Sequence, residues 1–266
     1  MLHRRISGST DRSGRDSGTR PAFDADRGQL VNGRLEGRVT VITGASRGIG
    51  AAVAKRFAAE GATVVLLART QAALEEVDDE IRKATGREAV LVPVDLRQFD
   101  KIDHIGAALF ERFGRLDVLV GNAGALGGLS PLGHTLPKLW DEVMAVNVTA
   151  NYRLVRIFDP MLRQSDAGRA IFVTSGAARG IHPYWGPYAA SKAALEQMIL
   201  CWAGEMTKTN VRINLIDPGI CRTRMRVQAF PGEPVEKQTP PEAITDAFVE
   251  LAAADCTRHA EIVQAQ

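Results

Sequence analysis

From Arg38 onward the chain alternates apolar runs with segments of helical length, and that rhythm leaves few folds open to it. RVTVIT (38–43), TVVLLA (63–68), AVLVPVD (89–95), LDVLVGNAG (116–124), RAIFVTS (169–175) and VRINLID (211–217) are the kind of run that a strand covered on both faces requires. Between them lie GIGAAVAKRFAAEG (48–61) and QAALEEVDDEIRKATG (71–86), each ending at a glycine suited to a helix C-cap. Further helices are expected over 98–113, 137–163, 187–207 and near 241–253, with a short strand at EIVQA (261–265). Such alternation imposes right-handed crossovers and a parallel sheet with helices on both faces. The expected fold is therefore α/β: a Rossmann-type, doubly wound single domain over residues 35–266.

Composition narrows the function. A chain of 266 residues with 45% hydrophobic content can bury one sizeable core. Lys and Arg number 33 against 31 Asp and Glu, so no basic surface marks it for nucleic acid. No apolar run reaches about 18 residues, and no membrane span is expected. Cys201, Cys221 and Cys256 are widely spaced, which fits reduced thiols in a cytoplasmic protein. His3, His104, His134, His182 and His259 lack metal-ligand spacing, and no metal site is expected. Residues 1–34 are rich in Arg, Ser, Gly and Asp without apolar periodicity, and read as a disordered tail. They lack the apolar core of a signal peptide. Their acids (Asp11, Asp16, Asp24, Asp26) count against a transit peptide, although targeting or partner binding is the alternative.

The first strand runs directly into TGASRGIG (43–50), which places Gly44, Gly48 and Gly50, with Ser46, Arg47 and Ile49, in a strand-to-helix turn. A glycine turn is by itself a tight turn and no more. In the first strand–turn–helix unit it also offers backbone amides to a dinucleotide pyrophosphate. NAG (122–124) follows the fourth strand, Asn147 lies in MAVNV, Ser175 closes the fifth strand, and YAASK sets Tyr188 and Lys192 four residues apart. Residues i and i+4 share a helical face, so the Lys192 ammonium is expected to lower the Tyr188 pKa from its usual value of about 10, jointly with a cationic nicotinamide ring. The competing reading is a plain exposed helical pair. Tyr184 is a control, because the residue four places after it is Tyr188 and not a lysine.

Taken together, TGASRGIG, NAG, Asn147, Ser175, Tyr188-x3-Lys192 and Pro218-Gly219 resemble the short-chain dehydrogenase/reductase family in its roughly 250-residue branch, over about residues 36–266. WDEVMAVNV, QSDAGRAIFVTS, WGPYAASK and RMRVQAFPGE are similar to the YciK-type bacterial reductases within it. The resemblance implies a nicotinamide cofactor and a tetrad of Asn147, Ser175, Tyr188 and Lys192. In it Ser175 polarises a carbonyl, Tyr188 donates the proton, Lys192 holds the cofactor ribose and Asn147 positions a relay water. It further implies cofactor contacts from Asp95 and Leu96 at the adenine, from Asn122, Ala123 and Gly124 along the groove, with Asn122 also steadying the central sheet, and from Pro218, Gly219, Ile220 and Thr223 at the carboxamide. Where NAD users in the family end the second strand with an acid, this chain has Ala68, followed by Arg69. With Arg47 nearby, two guanidinium groups suit a 2′-phosphate, so NADP(H) is expected over NAD(H). The chain departs from the family in lacking a glycine pair after its last strand.

The expected function is an NADP(H)-dependent oxidoreductase acting between a carbonyl and an alcohol, with a small-molecule substrate and a homodimeric or homotetrameric assembly. Residues 176–187 and the lid 222–239 should flank the substrate, where His182, Tyr184, Trp185, Met225 and Phe230 either line a pocket or pack the lid. One alternative is a 3-oxoacyl-thioester reductase, with Arg179, Arg222, Arg224 and Arg226 meeting an acidic carrier unless they are simply solvated. Another is a non-catalytic NADP(H) sensor, which has no need of Tyr188 beside Lys192. Deleting residues 1–34 is expected to leave melting temperature and NADPH affinity unchanged. Thermal denaturation and cofactor titration of the shortened chain check this, and a large loss of stability would show that the tail packs on the body.

Overall fold

The computed structural model describes residues 33–266, together with Ala22–Asp24 and Gln29–Val31. The last two segments are short strands, β1 and β2, paired antiparallel with Ala22 opposite Val31. The rest of the expected tail, residues 1–21, 25–28 and 32, lies outside the described residues. Contacts with the body begin earlier than residue 35: the Arg34 amide donates to Glu60 Oε2 at 2.9 Å, and Leu35 is fully buried.

Seven parallel strands form the sheet: β3 (Val39–Thr43), β4 (Thr63–Ala68), β5 (Val90–Pro93), β6 (Val118–Gly121), β7 (Arg169–Val173), β8 (Arg212–Asp217) and β9 (Ile262–Gln264). Their order is β5-β4-β3-β6-β7-β8-β9. Successive residues of a strand face opposite sides, and both sides are covered. Thus Val64 and Leu66 join one core with Phe57, Leu74 and Phe248, carried by α1 (Gly48–Ala59), α2 (Gln71–Thr85) and α8 (Thr245–Ala252). Val65 and Leu67 join the other with Ile102, Phe158 and Ile199, from α3 (Phe99–Phe113), α5 (Ala150–Gln164) and α6 (Gly186–Glu205). Double coverage is the reason the strands read as apolar runs rather than as alternation.

The strand order reverses between β3 and β6, which opens a crevice at their carboxyl ends, the usual ligand position in an open α/β sheet. Three ladders stop short of the expected strand ends, at Pro93, Gly121 and Val173. Asp95, Asn122–Gly124 and Ser175 consequently stand on loops beyond the sheet edge. The helix expected over 137–163 is interrupted. α4 (Pro137–Met144) gives way to a wide π turn, Ala145–Thr149, before α5 begins. Asn147 sits in that turn, and Asn151 Nδ2 donates to its carbonyl at 2.8 Å. One residue inserted into a turn leaves the apolar periodicity almost intact, so the pattern does not reveal it. The helix expected near 241–253 starts as a 3-10 turn, Pro241–Ile244. Among the described residues no helix is long and apolar enough to cross a membrane.

Candidate active site

At the glycine turn, α1 starts without a side-chain cap: Arg47 holds the N-cap position with extended backbone, and no acid lies in the first turn. The leading amides of α1 and the positive end of its dipole therefore stay available to an anion. Gly48 adopts φ +56°, and a β-carbon there would meet Thr223 Cγ2 at 3.4 Å. A β-carbon on Gly50 would run into the Gly44 carbonyl. Ser46 and Ile49 flank the turn half-buried, while Arg47 and Arg69 are exposed, Arg69 within electrostatic reach of Asp95. Ala68 is buried at the end of β4. An uncapped helix start and two exposed guanidinium groups form a donor set that fits a dinucleotide carrying an extra phosphate. Asp95 is already engaged. Arg97 grips both its oxygens, at 3.0 and 2.6 Å, and holds its pKa below the carboxylate range, beside the buried Leu96.

Asn122 ties the two strand ends together. Its Nδ2 donates to Thr43 O at 2.8 Å, and Thr43 Oγ1 accepts from the amides of Asn122 and Ala123, both at 3.0 Å. Beyond Gly124, the Asn147 amide is fully occupied: Oδ1 accepts from Ala125 N at 2.8 Å, and Nδ2 donates to Ala125 O and Ser191 Oγ at 2.9 Å each. A side chain on Gly124 would place its β-carbon 3.6 Å from Asn147 Oδ1 and 3.8 Å from Lys192 Nζ. Glycine there keeps the floor of the site open.

Ser175, Tyr188 and Lys192 meet as the spacing implies. The Ser175 hydroxyl lies close enough to the Tyr188 phenol to ease its pKa down, and its oxygen accepts from Ala177 N at 3.2 Å. Lys192 Nζ lies 5.8 Å from the centre of the Tyr188 ring and donates to Val173 O at 2.8 Å. The expected lowering of the tyrosine pKa is not found in the protein by itself. Burial pushes the phenol up to about 12, Ser175 opposes it, and the Asp217 carboxylate raises it further. Lys192 is turned onto a backbone carbonyl, too far from the ring to offset the lost solvation. Its own pKa falls to about 8 through burial, against the pull of Glu196 and Asp217.

An apolar wall stands beside the phenol. Leu126, Ala177 and Tyr188 cluster with Trp185, Met225 and Ala229. Trp185 meets Tyr188 edge-on at 5.7 Å and Phe230 at 5.6 Å. His182 and Tyr184, offered as wall residues, are exposed at the rim, with His182 Nε2 on Arg179 O at 2.9 Å. Two of the four arginines proposed for an acidic carrier are committed elsewhere. Arg179 pairs with Asp217, and Arg226 pairs with Glu233 while lying over the Phe230 ring. Arg222 and Arg224 are exposed. Pro218, Gly219 and the exposed Ile220 lead to Thr223, whose hydroxyl caps α7 (Arg224–Ala229) by accepting from Arg226 N at 3.1 Å. Asp217 and Glu196 went unnoticed in the sequence reading. The available signals were a charge ending an apolar strand before Pro-Gly, and an acid four residues after Lys192.

A family model for short-chain dehydrogenases matches residues 38–234. The YciK oxidoreductase of Escherichia coli K12 is 37% identical over 226 residues, 84% of this chain and 89% of its own. A short-chain dehydrogenase structure from Pseudomonas syringae superposes with TM-score 0.86 at 37% identity, over 89% of this chain and 97% of that one. A short-chain dehydrogenase from Escherichia coli CFT073, solved as a complex with NADPH, gives TM-score 0.85 at 35% identity, over 89% and 99%. Replacing Asn122 with Ala strands the Thr43 carbonyl at the crevice. It is expected to lower stability by about 1–3 kcal/mol and to weaken nucleotide binding; denaturant unfolding and a cofactor titration check both.

Proposed function

This chain belongs to the short-chain dehydrogenase family and is an oxidoreductase; within that family we propose that it moves hydride between NADP(H) and a carbonyl or alcohol, with Tyr188 as the acid/base. The observation that carries this reading is the buried Tyr188 with Lys192 on the same helical face, 5.8 Å from its ring, and Ser175 close enough to draw the phenol pKa down. The nicotinamide, when bound, supplies or accepts the hydride. Every remaining task falls to the chain. The Ser175 and Tyr188 hydroxyls bond the substrate oxygen, and in reduction Tyr188 Oη gives that oxygen its proton. Lys192 stands above Val173 O, where its ammonium would hold ribose hydroxyls and favour phenolate once a second positive charge arrives. Asn147, locked on Ala125, fixes the loop beside it, and by family resemblance would position the water that returns protons from solvent. The apolar wall of Leu126, Trp185 and Met225 suits an uncharged substrate, and with Arg179 and Arg226 engaged an acidic carrier finds less to hold. Free Cys201, Cys221 and Cys256 agree with a cytoplasmic setting.

For the cofactor, Arg47 and Arg69 are the residues proposed to take the 2′-phosphate, a reading the NADPH-bound relative supports. A sensor without catalysis would bind NADPH and leave every ketone untouched, so NADPH oxidation across a panel of ketones, quinones and acyl thioesters separates the two readings. Tyr188→Phe is expected to keep NADPH affinity and to lose about 10²–10⁴-fold in turnover. More than a tenth of wild-type turnover remaining would remove Tyr188 from the role. NADPH should bind about tenfold or more tighter than NADH, one decade being about 1.4 kcal/mol, and Ala68→Asp should erode that preference. Dissociation constants for both cofactors in both proteins check it.

A further inference from the structure

We propose that Asp217, held by Arg179, is a positioning residue that keeps the proton on Tyr188 and so poises the site for carbonyl reduction. The inference rests on the acid/base reading above. Asp217 ends β8, and because Val173 lies opposite Ile216, it falls beside Thr174, one residue before Ser175. Its side chain is only 8% exposed. Oδ1 accepts from Gly219 N at 3.2 Å, and Oδ2 faces Arg179 Nη2 at 2.5 Å. A β-carbon on Gly176 would lie 3.7 Å from that same Oδ2, so the carboxylate sits against the loop that carries Ser175.

The charges facing it come from two further elements. From α6 come Lys192 and, one turn on, Glu196, which accepts from Thr174 Oγ1 at 2.7 Å. From the loop after β7 comes Arg179, whose Nη1 lies 3.7 Å from Glu196 Oε1. Asp217, Glu196 and Arg179 thus form one charged cluster against the loop that carries Ser175, with Lys192 5.8 Å from the Tyr188 ring. A buried carboxylate is costly; Arg179 compensates this one, while the Gly219 amide would be accepted equally well by an asparagine. A negative charge beside Tyr188 opposes phenolate, and beside Lys192 it favours the ammonium. Both directions are those found, with Asp217 raising the pKa of each group. Protonated Tyr188 with charged Lys192 is the state that carbonyl reduction requires at its start.

The sign follows from the chemistry. Reduction consumes the Tyr188 proton, so kcat/KM for reduction falls as pH rises through the phenol pKa. Asp217→Asn should move that fall to lower pH by about half a unit or more. Arg179→Gln, which leaves Asp217 and Glu196 uncompensated, should move it to higher pH, and Arg179→Lys should restore the wild-type position. A second readout does not need turnover. The near-ultraviolet phenolate band of Tyr188 is taken with NADP+ saturating, as the difference between each protein and its Tyr188→Phe partner, and should shift the same way. If Asp217→Asn lowers the melting temperature but leaves both the rate profile and the phenolate titration in place, Asp217 is structural and the proposal is overturned. If the wild type reduces no carbonyl in the panel, the acid/base reading fails, and the phenolate titration alone decides for or against Asp217.

Discussion

The glycine turn, Asn122, Ser175 and Asp217 emerge from the carboxyl edge of a parallel sheet buried on both faces, while Tyr188 and Lys192 stand on α6 and Asn147 in the π turn before α5. Burial on both faces makes the strands mostly apolar, the exceptions such as Arg169 and Asn214 being hydrogen-bonded, and favours chemistry at their ends. The end of β3 supplies the glycine turn, the end of β4 leads into Arg69, the end of β6 supplies Asn122, and the ends of β7 and β8 supply Ser175 and Asp217. Asn122 is the pin on which this edge depends. Its amide bonds the Thr43 carbonyl across the point where strand order reverses, so the crevice is held at a fixed width before anything binds.

Beside that edge, desolvation is the strongest influence on Tyr188 and Lys192. It drives Tyr188 up and Lys192 down, away from the charged forms of both. Hydrogen bonds and charges act against or alongside it: Ser175 eases the phenol back, while Glu196 and Asp217 hold the ammonium. The i, i+4 spacing brings Lys192 to the correct face, yet the lysine finds its own partner in the Val173 carbonyl. Proximity on a helix is therefore not the same as electrostatic coupling, which here waits on a further positive charge. The lid adds apolar cover, with Trp185 edge-on to the phenol ring, Phe230 tilted against Trp185, and Arg226, paired with Glu233, over the Phe230 ring.

The sequence by itself determined the succession of strands and helices along the chain, the glycine turn, and the placing of Ser175 after a strand with Tyr188 and Lys192 four residues apart on one helix. Apolar runs and helical spacing are local properties, and they are written in consecutive residues. Only the tertiary structure decided what depends on neighbours far apart in the chain. The π turn at Asn147 exists because its amide reaches Ala125, 22 residues away. Arg179 turned from a candidate substrate contact into the counterion of Asp217, 38 residues on. The phenol pKa moved opposite to expectation, because solvation is set by how densely the finished fold surrounds a group. Spacing along a helix carries no information about that surrounding.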